Sequence, residues 1–182
     1  MLSYLKQKFH IAKKDEPFET RLELFQANFF NMPHHLWITE SKALKRAFLI
    51  LFDSLNDKLL QILWKKNLIC LRSYGVLACT LSLPPQSDVL IVYPDLIKLL
   101  HSASLMHGVS ILAHEIGHIV LDHSHHELNP VLAQLEADAI AFEMGLGKEL
   151  MEQIKSFPVS DEYQLRIENL TSLLTQHSKK RS

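Results

Sequence analysis

Residues 111–126, "ILAHEIGHIVLDHSHH", set five histidines and two acids into an otherwise apolar run. Leu105, Val109, Leu112, Ile116 and Ile119 recur at helical spacing, so the stretch reads as a core-facing helix over about 104–123. His114 and His118 lie four residues apart on a different face, where both imidazoles can point at one atom, and Glu115 sits between them. The pattern is H-E-x-x-H, in which two histidines suit a single Zn2+. The glutamate can then take a proton from water attacking a carbonyl and return it to the leaving amine. His107 is about 10 Å further along the helix axis, too far to share the ion. His123, His125 and His126 fall at the helix end, where positive charge complements the dipole and water is near, and are set aside as ligands. Leu121 and Ser124 occupy the places where a metzincin needs glycine and a third histidine.

A catalytic zinc takes three protein ligands, and the next donor-bearing segment is "AQLEADAIAFEMG", 133–145. It follows Asn129-Pro130, read as N-cap and first residue of a helix ending near Gly145 or Gly147. Gln134, Ala137, Asp138, Ala141 and Gly145 make one stripe of small residues, able to lie close against the histidine helix. Glu136 shares its stripe with Leu132, Ile140 and Glu143, which reads as peripheral.

Further out, "LICLRSYGVLACTLSLPP" (68–85) reads as two strands around a turn at Tyr74-Gly75, with Gly75 supplying a positive φ. Across that hairpin Cys70 and Cys79 would face each other, as reduced thiols. "DVLIVYP", 88–94, is a third strand ended by Pro94, and a short turn follows. Residues 41–64 have a helical pattern restarted by a capping-box-like "SLND" at 54–57. Residues 1–40 look like a helical appendage on the body, and 41–182 like a single domain. Helices are expected at about 147–156 and 160–176. The fold class is α+β: a small, mostly antiparallel three-strand sheet packed on the histidine helix, with further helices on both sides in sequence.

Several of these motifs, taken in order, resemble the gluzincin metallopeptidases of the HtpX and CAAX-prenyl-protease type. The resemblance spans about 67–170: a strand-turn-strand, "VLIVYPDLIKLL", "LAHEIGH", "EADAIA" and "FPVSDEYQLRIENL". It implies a zincin-like fold, one Zn2+, and hydrolysis of a peptide or protein substrate. That family's zinc-binding glutamate precedes the aspartate of its Ala-Asp pair by four residues. Carried onto Asp138, the position is Gln134, a neutral amide. The resemblance thus implies Gln134 as third ligand and Asp138 as acceptor for a ligating histidine, with direct ligation by Asp138, or by Glu136 on a locally unwound helix, as alternatives. It also implies Arg166 as transition-state support, and Ala78, Cys79 and Thr80 as an edge strand to which a substrate peptide adds. Phe157 and Leu77 stand where the family has histidine and asparagine. The ImmA/IrrE regulatory proteases are a second resemblance, and a degenerate zincin acting through protein contacts is a third reading.

With 19 Lys+Arg against 20 Asp+Glu the net charge is −1, which gives no electrostatic reason to expect nucleic acid, and the basic residues at both ends read as solvated. No apolar run approaches the roughly 18 residues of a membrane span, and no signal peptide is read, so the expected location is the cytoplasm.

Overall fold

The computed structural model describes residues 16–75, 77–83, 87–125 and 129–179. The expectations for residues 1–15, the last three residues and His126 fall outside them. The fold is α+β, with helices α1 (Phe18–Phe30), α2 (Leu36–Thr39), α3 (Lys42–Asp53) and α4 (Asp57–Lys66) before the sheet. Strands β1 (Ile69–Arg72), β2 (Ala78–Leu83) and β3 (Ser87–Val92) follow. Helices α5 (Pro94–Leu100), α6 (Leu105–Val120), α7 (Pro130–Glu143), α8 (Gly147–Lys155) and α9 (Asp161–Lys179) complete the order.

Local chemistry sets the helix ends. Asn129 accepts from the backbone N–H of Val131 at 2.9 Å, and Pro130 opens α7. Gly145 (φ +79) closes it: its N–H reaches Phe142 O and the next N–H reaches Ala141 O, both at 2.9 Å. The restart at 54–57 is capped differently from the expectation. Asn56 is the N-cap, accepting from Leu59 N at 2.9 Å, whereas the Ser54 hydroxyl donates back to Ile50 O and ends α3.

The sheet corrects the expected hairpin. Its order is β1-β3-β2, with β1 parallel and β2 antiparallel to β3, so the sheet is mixed and the first two strands do not pair. The most continuously apolar strand takes the centre: Val89, Leu90 and Val92 of β3 are all buried. Cys70 pairs with Leu90 and Cys79 with Ile91, on opposite sides of β3. Two strand spacings, roughly 10 Å, separate the cysteines, beyond the reach of a disulfide. Gly75 also departs from its expected role, lying outside the left-handed region. A Cβ there would meet the Tyr93 ring at 2.6 Å, so glycine lets the ring lie flat on the backbone. The positive φ falls on Leu77 (+62) instead.

One edge of the sheet is covered from the N-terminal side. Cys70 N–H donates to His35 Nε2 at 2.9 Å, and Trp37 Nε1–H donates to Cys70 O at 3.4 Å, so both outward groups of Cys70 on β1 are satisfied. His35 is fully buried and donates its Nδ1–H to Phe29 O at 2.6 Å. Phe29 packs edge-on against Phe52 at 4.8 Å, joining α1 to α3 in one core. On the other edge, no further strand pairs with β2 among the described residues.

Helix α6 lies at the centre and packs against α3, α5, α7, α8 and β2. No helix among the described residues is long and apolar enough to cross a membrane.

Candidate metal centre

Helices α6 and α7 meet at Gly117 and Ala137. A Cβ on Gly117 would lie 2.8 Å from both Ala137 Cα and O, so only glycine permits this spacing. Ala137 and Ala141 are fully buried in the contact. That approach brings Asp138 to His114, whose Nδ1 lies 2.7 Å from Asp138 Oδ1.

Asp138 is wholly buried and also bound by Arg166, through Nε to Oδ2 at 2.8 Å and Nη2 to Oδ1 at 2.7 Å. Burial by itself raises the carboxyl pKa. The hydrogen bonds and charges of His114 and Arg166 outweigh that effect and hold it below its ordinary value. Asp138 is therefore a carboxylate and only accepts, so His114 donates Nδ1–H to it and turns its Nε2 toward His118. Arg166 is held by Asp138, and its side chain also borders the cleft.

His118 Nε2 lies 3.1 Å from His114 Nε2, the rings meeting edge to face. Burial above all, then the charges of His114, His123 and Arg166, lowers the His118 pKa to about 3, so the ring is neutral. Two nitrogens 3.1 Å apart, each about 2.05 Å from a shared zinc, subtend about 98° there, close to a tetrahedral angle. The pair fits the ion. Among the described residues, no three His, Cys, Asp or Glu side chains form a metal-holding group.

Gln134 borders the same cleft as His114 and Glu115, a cavity of about 160 Å³. Glu136 does not: helix α7 is continuous through it, and its Oε2 lies 3.0 Å from His123 Nε2. Burial raises the Glu115 pKa, partly opposed by His114 and Arg166. Apolar walls of the cleft come from Leu77, Ile111, Leu150, Ile154, Phe157 and Tyr163. Leu77 holds its left-handed conformation at the rim, at a cost of about 1–2 kcal/mol for a residue with a Cβ.

Ala78 lines the cleft, and Cys79 and Thr80 continue β2 away from it. Cys79 Sγ lies 3.1 Å from Tyr93 Oη. This hydrogen bond is the main cause of a raised Tyr93 pKa, with the Glu115 charge acting in the same direction. Sequence reasoning does not single out Tyr93, and it sets His123 aside as a ligand. The only sequence signal for His123 is its place five residues after His118, one turn past the apolar run. His107 faces Glu152 at 3.4 Å, away from the pair. No protein-family model, curated protein or solved structure matches the chain.

Proposed function

We propose that the chain is a zinc-dependent endopeptidase of gluzincin type, acting on a peptide or protein substrate in the cytoplasm. The observation that carries this reading is the approach of His114 Nε2 and His118 Nε2 to 3.1 Å, where His114 and Glu115 line one cleft. His114 and His118 would hold the ion, with the Gln134 amide oxygen as third donor. A zinc ion held there would supply positive charge to polarise a substrate carbonyl and to acidify water.

The chain's own groups do the rest. A substrate strand adds along the open edge of β2 and so lies across the cleft at Ala78. The Glu115 carboxylate takes the proton of the attacking water and passes it to the leaving amine nitrogen. Its raised pKa suits both transfers. The apolar walls exclude bulk water, which strengthens the charges inside.

The neutral amide of Gln134 in the cleft favours a second reading, a weak metal binder working through protein contacts. One experiment separates them. Zinc affinity is measured by chelator competition for the parent, His114→Ala and His118→Ala, and hydrolysis of a mixed peptide pool is followed for the parent and Glu115→Gln. The peptidase reading expects tight zinc in the parent and in Glu115→Gln but in neither histidine variant, and cleavage by the parent that stops in Glu115→Gln. Equal zinc binding in all three would refute the site. Zinc binding with no cleavage by the parent would favour the second reading.

A further inference from the structure

His118 has a second hydrogen bond that the motif does not account for. Its Nδ1 lies 2.7 Å from His123 Nδ1, and His123 Nε2 lies 3.0 Å from Glu136 Oε2. The His123 side chain is only 6% exposed and packs edge-on against His118, while Glu136 is 44% exposed. In the contact between His123 and Glu136 the ring nitrogen is the donor and the carboxylate oxygen the acceptor, so His123 donates from Nε2. With its proton on Nε2, the His123 ring offers Nδ1 to His118 as an acceptor. His118 must therefore donate Nδ1–H and leave Nε2 without a proton.

From this direction of bonding we infer that His123 and Glu136 are positioning residues, which fix the tautomer of His118 and aim its Nε2 lone pair at the lone pair of His114. The inference rests on the reading of His114 and His118 as a metal pair. His114 is oriented through Asp138 and Arg166 from one side, and His118 through His123 and Glu136 from the other. Such outer hydrogen bonds orient a ligating imidazole and raise its basicity.

The backbone is shaped for this contact. Helix α6 stops at Val120, and Asp122 takes a left-handed conformation (φ +57) that turns the chain back on itself. Aspartate tolerates that conformation better than most residues. Its carboxylate pairs with Lys66 at the end of α4, which also lies 3.6 Å from Asp88 on β3. The turn is thus tied to the body on the far side, and His123, the next residue, falls back onto His118. Glu136 reaches it from α7 two residues before Asp138, on the face turned away from His114.

The test uses the full chain with 15N-labelled histidine. In metal-free protein at neutral pH, long-range 1H–15N couplings report which ring nitrogen of His118 carries the proton. The expected result is Nδ1–H in the parent and loss of that single tautomer in His123→Leu. His123→Gln can accept through its oxygen and donate through its nitrogen, so it should restore the tautomer. In chelator competition with Zn2+, His123→Leu should bind about 10- to 100-fold more weakly than the parent, with His123→Gln much closer to it. Glu136→Ala removes only a half-exposed side chain and keeps the fold. It should weaken zinc binding in the same direction.

An Nε2–H tautomer of His118 in the parent would overturn the inference, as would zinc affinity unchanged in both His123→Leu and Glu136→Ala. If the parent binds no zinc, the peptidase reading falls, and the tautomer measurement still decides the role of His123.

Discussion

Gly117 of α6 and Ala137 of α7 touch backbone to backbone, with no room between them for a methyl group. The residues that follow them in each chain direction, His118 and Asp138, belong to the two halves of the candidate centre. Gly117→Ala gains about 1 kcal/mol of helix propensity but must push α7 away against its own backbone. The expected net result is a loss of about 1–3 kcal/mol in urea unfolding. Weaker zinc binding should accompany it, because Asp138 moves off His114. A neutral or stabilising outcome would mean that the contact is looser than described.

Gln134→Glu should tighten zinc binding about 10- to 100-fold in chelator competition, by placing a carboxylate in the cleft shared with His114 and Glu115. No gain would show that position 134 is not a donor. The variant is also the direct measure of what the missing acid costs.

Arg166→Ala leaves the Asp138 charge buried with one partner fewer. Removing one member of a buried pair costs about 3–5 kcal/mol, and that loss is expected in chemical unfolding. Adding Asp138→Asn should recover part of it, because the stranded charge disappears. If the single variant is as stable as the parent, Arg166 does not hold Asp138, and a role toward substrate becomes the better account.

His35 predicts an acid weakness away from the cleft. Burial, partly opposed by the Phe29 carbonyl, lowers its pKa to about 4. The unfolded chain, at about 6.5, takes up the proton first, so the unfolded state gains stability as pH falls between those values. The His35 contribution is complete above about pH 6.5 and shrinks by up to roughly 3 kcal/mol as pH drops to about 4. Below that, imidazolium cannot accept from Cys70 N–H, and β1 loses its tie to the N-terminal helices. Unfolding measured at pH 7.5 and 5 should show the drop in the parent and a smaller one in His35→Leu. The half-buried His118 acts in the same direction, so the comparison between variants isolates His35.

Much of the helical part was legible. The apolar stripe from Val109 to Ile119, the Asn129-Pro130 start and the i, i+4 spacing of His114 and His118 follow from a 3.6-residue period and from end groups a few residues away. Each such signal is local, so a single chain carries it in full. The strands show the opposite case. Residues 69–72, 78–83 and 87–92 were recognisable as extended, yet their order was not, because pairing is decided by which strand gains most from burial on both faces. "VLIV" wins that position, and the apparent hairpin partners end on opposite sides of it.

The candidate centre divides along the same line. The amino-acid sequence determines two stacked histidines with a glutamate between them, and a later helix with a small-residue face, because helical geometry alone puts those groups together. Only the tertiary structure decides that Arg166 is held by Asp138 and that Glu136 turns to His123 and not to the cleft. It also decides that His123 folds back onto His118. These contacts join residues on three helices and a turn. Their geometry depends on an interhelical distance set by one missing methyl group and on a chain reversal anchored by a lysine from another helix. No period along the chain encodes either of them.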